Sequence, residues 1–142
     1  MNEHNKQVAV KFVEAMGQND PQGVAECLAP DAVAIAMGTT KFAGKRNRDM
    51  MVGGVEQFKQ LMPEGLQFTI LSAIADGDRV AVEARGNATT AEGKPYHNTY
   101  CFMITLKDGL ITEAKEYFCT KLADEVLWPM VEGSGVLDQT LA

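Results

Sequence analysis

RVAVEARGNATTAEGKPYHNTYCFMITLKDGLITEAKEYFCT, residues 79–120, is the stretch on which the reading of the chain turns. It divides into a strand over 79–90, a turn over 91–95, a second strand over 96–107, an Asp108-Gly109 turn and a third strand over 110–119. β-branched and aromatic residues fill the three runs, and the breaks fall on Gly, Pro and Asp-Gly. Asp-Gly between two such runs favours a two-residue hairpin, because both turn positions need positive φ. That turn would set Asn98 opposite Cys119, Tyr100 opposite Tyr117 and Phe102 opposite Lys115 on one face. His97, Thr99, Cys101 and Met103 would then face Thr120, Phe118, Glu116 and Ala114 on the other, and a one-residue bulge would exchange part of these sets. Two long hairpins in succession make a curved antiparallel sheet.

Upstream, Val8, Phe12, Ala15 and Met16 recur at helical spacing, which predicts a helix over 5–16 ending at Gly17. Asp20 before Pro21 is an N-cap followed by a first-turn proline, so a short second helix runs to Leu28. Residues 31–37 are a small apolar run bounded by turn residues and read as a buried strand. Met50, Met51, Val55, Phe58 and Leu61 return to helical spacing over 47–61, with Asn47 as cap and Pro63 as stop. Gly53-Gly54 inside that helix would cost about 1 kcal/mol each relative to alanine, which points to a close backbone approach or a kink. A strand over 66–75 and an Asp76-Gly77-Asp78 turn lead into the central hairpins. After them, Leu122, Val126 and Leu127 suggest a terminal helix, and the tail from Pro129, with Gly133-Ser134-Gly135, reads as a loop or an exchanged arm. Helices first and antiparallel strands afterwards give an α+β domain over residues 1–142, its N-terminal helices closing a cone-shaped pocket over one face of the sheet.

Composition narrows the function. With 142 residues, 46% of them hydrophobic, the chain suits one core, and a net charge of -6 argues against nucleic acid, whose phosphates require a basic surface. The lone basic cluster at 41–48 is too short to change that. Cys27, Cys101 and Cys119 are odd in number and lack CxxC spacing, so neither a disulfide framework nor a metal site is expected, and a reducing, cytoplasmic setting is. The N-terminal residues have no apolar leader, and no apolar run reaches the ~18 residues of a membrane span.

Asp76-Gly77-Asp78-Arg79, Gly93-Lys94-Pro95-Tyr96-His97-Asn98, Lys107-Asp108-Gly109-Leu110-Ile111 and Lys115-Glu116-Tyr117-Phe118-Cys119 together resemble the SnoaL-like branch of the nuclear transport factor 2 superfamily. The resemblance spans nearly the whole chain and implies a cone-shaped α+β fold (cystatin-like), a deep apolar pocket and a homodimer packed through the sheet. It also implies positions for chemistry. The ketosteroid isomerases of the superfamily place a tyrosine on the first helix, where this chain has Phe12. Their base would fall about at Ala36 and their protonated aspartate about at Cys101. The epoxide hydrolases hold water with Arg-x-Asp, here Arg85-Gly86-Asn87, and with an aspartate where Cys119 stands; the SnoaL-type cyclases also use an acid at that last position.

With those acids absent, the candidates for catalysis are His97, Tyr117 and Cys119, and those for ligand binding are Arg85, Asn87, Asn98, Tyr100, Phe12 and Met37. Arg85, amid Ala84, Gly86 and Ala88, must be paired wherever water is excluded, either by a carboxylate such as Glu83 or Glu116 or by a ligand. Met37, Met50, Met51 and Met62 suit the lining of an adaptable cavity. The expected partner is a small, largely apolar carbonyl or ring compound, with isomerisation, cyclisation or hydration as the chemistries open to the site and no cofactor expected. A pocket that binds without reacting, and an interaction module of the same fold, are the alternatives.

Overall fold

The computed structural model describes residues 2–135 and 137–141. In chain order the elements are α1 (Asn2–Gly17), α2 (Pro21–Cys27), β1 (Leu28–Ala36), β2 (Gly44–Asn47), α3 (Arg48–Leu61), β3 (Gln67–Asp76), β4 (Arg79–Thr89), β5 (Pro95–Lys107), β6 (Leu110–Phe118), α4 (Thr120–Val126) and α5 (Trp128–Val131). The strands form one six-stranded sheet in the order β2-β1-β6-β5-β4-β3. Local signals set most boundaries. Asp20 Oδ1 accepts from the Gly23 amide at 2.9 Å, and Asn47 Oδ1 accepts from the Met50 amide at 2.9 Å, each satisfying an orphan donor of its helix. Asp108 and Gly109 have φ of 53° and 79°, as their two-residue hairpin requires.

Three expectations change. The sheet is mixed, because β1 runs parallel to β6 while every other pair is antiparallel. β2, which reads only as part of a basic cluster, is too short to show periodicity, and its pairing with β1 (Ala34 opposite Arg46, Ala36 opposite Gly44) makes it a strand. The register of β5 against β6 shifts as well. Leu106 lies opposite Ile111, but Thr105 lies opposite Glu113, so Thr112 is an extra residue on β6. Beyond that bulge Tyr100 faces Phe118, Cys101 faces Tyr117 and Phe102 faces Glu116. Before the bulge Ile111 points to the helices; after it Ala114, Glu116 and Phe118 do, and Tyr117 turns to solvent.

The helices cover the sheet face that carries Val80, Val82, Ala84, Phe102 and Ile104, all at most 1% exposed, and α1 presses Ala9, Phe12 and Val13 against it. A second apolar cluster, built from Leu61, Met62, Tyr96, Leu127 and Val131, adjoins the first through Phe68 and Tyr100, whose rings meet edge-on at 5.2 Å. Past α5 the described residues of the tail form a loop, as expected, and it packs on the body of the chain. Pro129 sits in the first turn of α5, and residues 137–141 return to their own chain, where the Leu141 amide donates to Lys45 O at 2.8 Å and the Leu137 amide to Gln57 Oε1 at 3.3 Å. The close approach expected at Gly53-Gly54 is that of Leu137: a Cβ on Gly54 would stand 3.0 Å from Leu137 Cδ2. Among the described residues no helix is long and apolar enough to cross a membrane.

Candidate functional site

A cavity of about 110 Å³ lies between the helix-covered sheet face and α3, α4 and the returning tail. Met50, Met51, Val55 and Phe58 of α3, with Phe118, Leu127 and Leu137, make its walls apolar. Ala34 and Ala36 of β1 form the floor, and side chains that short leave the slot open. Four polar groups reach the cavity: Arg46, Glu116, Tyr96 and Tyr100.

Glu116 is there because of the Thr112 bulge, which turns the even-numbered residues of β6 inward. Its carboxyl makes no hydrogen bond or ion pair among the described residues, and loss of water pushes its pKa from 4.5 to about 7; Arg46, across the floor, opposes that rise only in part. Tyr100 stands diagonally from Glu116 on the neighbouring strand, roughly 7–8 Å away along the backbone, a gap that a ligand can fill.

The tyrosines belong to a chain of hydrogen bonds. Asn98, 3% exposed, accepts from the Cys119 amide at 3.1 Å and donates to Cys119 O at 3.1 Å and to the Tyr96 hydroxyl at 2.8 Å. Tyr96 and Tyr100 oxygens are 2.8 Å apart. Either hydroxyl can donate in this pair; with the Tyr96 oxygen accepting from Asn98, the arrangement in which Tyr96 donates to Tyr100 leaves the Tyr100 proton for an acceptor in the cavity. Burial holds both phenols above their ordinary pKa, Tyr100 well above it, so each stays a neutral donor.

Arg46 occupies the opposite end of the floor. β2 and β6 flank β1, which puts their backbones roughly 10 Å apart. The guanidinium donates to Phe42 O at 2.9 Å and to Leu137 O, while its Nε is buried without a partner among the described residues. The ion pairs within 4.0 Å among the described residues involve Glu3, Glu26 and Glu113, none of them with Arg46. Burial lowers the Arg46 pKa, partly offset by Glu116 and Asp138.

The residues singled out from the sequence separate into two groups. Tyr100 lines the cavity, and Asn98 supports it from behind. Arg85, expected in the cavity, stands exposed on the outer face with Asn87 and His97, whose Nδ1 lies 2.9 Å from Asn87 Oδ1; Ala84 and Gly86 are buried, and strand alternation sends Arg85 the other way. Tyr117 shares that face, corrected by the bulge, and Cys119 is exposed at the N-terminus of α4. Phe12 is wholly buried in the core, and Met37 ends β1 with its amide donating to Glu116 O at 3.1 Å; neither lines the cavity. Glu116 and Arg46 are the residues missed. The alternation Ala114, Glu116, Phe118, small or apolar on either side of the acid, was the available signal for the first. Among the described residues no group of three or more His, Cys, Asp or Glu is placed to hold a metal ion.

The sequence model described as a SnoaL-like domain matches residues 9–114, ending just short of Glu116. No curated protein matches the chain. Among solved structures, PrhC from Penicillium brasilianum superposes with a TM-score of 0.81 at 18% identity, over 96% of this chain and 95% of that one. Bal32a, from a soil-derived mobile gene cassette, gives 0.77 at 20% identity over 88% and 97%. A hypothetical protein with a ketosteroid isomerase-like fold from Catenulispora acidiphila, in complex with trimethylamine, gives 0.69 at 17% identity over 95% and 98%.

Proposed function

The chain belongs to the SnoaL-like domain family, and from that premise we propose that it acts on a small carbonyl compound, Glu116 moving a proton on the carbon beside the carbonyl while Tyr100 holds the oxygen. The observation that supports this most directly is a carboxyl with a pKa of about 7 and a buried phenol lining the same apolar cavity. At neutral pH such a carboxylate is ionised often enough to take a proton and basic enough to do so effectively. The Glu116 carboxylate removes the proton; the C–H electron pair moves to the carbonyl oxygen, which gains negative charge as it accepts from Tyr100. The protonated Glu116 then returns the proton to the same carbon or, in a conjugated substrate, to a more distant one. The bond from Asn98 to Tyr96 and the contact between the two hydroxyls hold the Tyr100 phenol in place before substrate arrives, and with Tyr96 donating they polarise its proton. A base on β6 thus takes up the work for which the family resemblance offers no acid at Phe12, Ala36, Cys101 or Cys119.

The cavity also limits the substrate. An empty cavity of roughly 150 Å³ accommodates benzene, so about 110 Å³ suits a body of about four non-hydrogen atoms and leaves no room for a steroid. The test is deuterium incorporation from heavy water into acetone, butanone and the shortest enones near pH 7, followed by proton NMR. The expected result is exchange well above the buffer rate, abolished in Glu116→Gln and reduced about 10²-fold in Tyr100→Phe. No acceleration with any of these ketones would remove proton transfer and leave a binding pocket. We further propose that two copies pair through the outer sheet face, where Leu71, Ile74 and Tyr117 are 44%, 68% and 44% exposed.

A further inference from the structure

We propose that the ligand of this cavity is a small aliphatic monocarboxylate, its carboxylate held by Arg46 and its apolar body lying over Ala34 and Ala36 toward Glu116 and Tyr100. This rests on the small-molecule reading of the pocket and not on proton transfer. Arg46 has five N–H donors, of which two are committed, to Phe42 O and Leu137 O, and the buried Nε has no acceptor among the described residues. No carboxylate lies within ion-pair distance of it there. A guanidinium bordering an apolar cavity is costly when Glu116 and Asp138 act on it only from beyond ion-pair distance, and a carboxylate offers the two acceptor oxygens that a guanidinium fork matches best.

The rest of the cavity selects among anions. A phosphate would need donors all round, whereas the remaining walls are methionine, valine, phenylalanine and leucine with two phenols already bonded to one another. A single carboxylate at the Arg46 end on a short hydrocarbon body satisfies both ends, and the volume suits a body of about four non-hydrogen atoms. The charged and titratable groups around the cavity are Arg46 from β2, Glu116 from β6, and Tyr96 and Tyr100 from β5; α3 and α4 present apolar side chains, and Asp138 of the tail acts on Arg46. A bound anion and an ionised Glu116 therefore repel one another inside one low-dielectric space, and carboxylate affinity should fall as Glu116 ionises.

The probes are crotonate and isobutyrate, each paired with its uncharged amide of the same shape, titrated into the whole protein by calorimetry or chemical-shift mapping from pH 6 to 8. Wild type is expected to bind crotonate at least 10-fold more tightly than crotonamide at pH 6, with the preference shrinking toward pH 8. Glu116→Gln should keep the preference and make it independent of pH, and Arg46→Gln should abolish it, bringing crotonate down to the affinity of crotonamide. The acid-against-amide comparison in wild type stands even if Arg46→Gln fails to fold. Equal binding of acid and amide, or no binding of either acid, overturns the proposal, as does a preference that survives Arg46→Gln. Carboxylate binding without any proton exchange would sink the chemistry proposed for Glu116 and leave this assignment standing. Exchange of ketones without carboxylate binding would do the reverse.

Discussion

Replacing Glu116 by glutamine should stabilise the protein, and by an amount that depends on pH. In the unfolded chain the carboxyl titrates near 4.5; in the folded state desolvation holds it at about 7. The folded state therefore binds the proton more tightly, so the group contributes stability below pH 4.5 that is lost as pH rises through 7. The difference of about 2.5 units amounts to about 3 kcal/mol once both states are ionised, at 1.36 kcal/mol per unit. Part of this is already lost by pH 5, and about 2.5 kcal/mol remains to be lost between pH 5 and 8.5. A chain of this length changes entropy by about 0.3 kcal/mol per degree on unfolding, so the melting advantage of Glu116→Gln over wild type should grow by about 8 °C across that interval. Urea or thermal unfolding of both proteins at half-unit steps measures it directly, and the subtraction cancels every other titrating group. A gap that stays constant from pH 5 to 8.5 would show that Glu116 is solvated like any surface carboxylate, and the argument for a base poised near neutrality would fall with it.

Other substitutions probe the parts around that carboxyl. Tyr96→Phe deletes the link between Asn98 and Tyr100 and should cost about 1–3 kcal/mol in urea denaturation, since two buried groups lose a partner. Tyr100→Phe, by contrast, keeps the ring packing on Phe68 and Phe102, and its denaturation midpoint should change far less than its exchange rate. Leu137→Ala should destabilise by about 2–5 kcal/mol while admitting ketones too large for wild type, read by competition binding. On the outer face, Ile74→Asp should convert a dimer into a monomer in light scattering; a wild type that is already monomeric at micromolar concentration refutes the pairing proposal.

What could be read beforehand depended on whether the cause was local. Asp20, Asn47 and Asp108-Gly109 act through hydrogen bonds and φ angles within a few residues, so their caps and turn were visible in the sequence and are present in the fold. Tyr100 and Asn98 could be placed on one face because alternation along β5 is uninterrupted. The same alternation, applied to Ala84, Arg85 and Gly86, sends Arg85 outward, because its two small neighbours are the residues that face the helices. Glu116 was legible only in part, since alternation sets it on one face with Ala114 and Phe118 without saying which face that is. Its orientation depends on Thr112, an ordinary strand residue whose extra place in β6 shows only once β5 is laid beside it. The parallel pairing of β1 with β6 joins segments about eighty positions apart, and Arg46 owes its place on the cavity to that pairing and to a strand of four residues.

The returning tail divides the labour of the site. All four polar groups of the cavity belong to the sheet, whereas Leu137, supplied by a segment outside every strand and helix, closes one wall against Gly54. Among the described residues the tail meets the polar groups at one point, where Leu137 O accepts from Arg46, and it does so through its backbone. The side chain of Leu137 can therefore be redrawn to make a wider or narrower chamber while Glu116, Tyr96 and Tyr100 keep their places on β5 and β6. Such a molecule can be refitted to a new guest at its gauge alone, with the polar groups of the sheet held constant throughout.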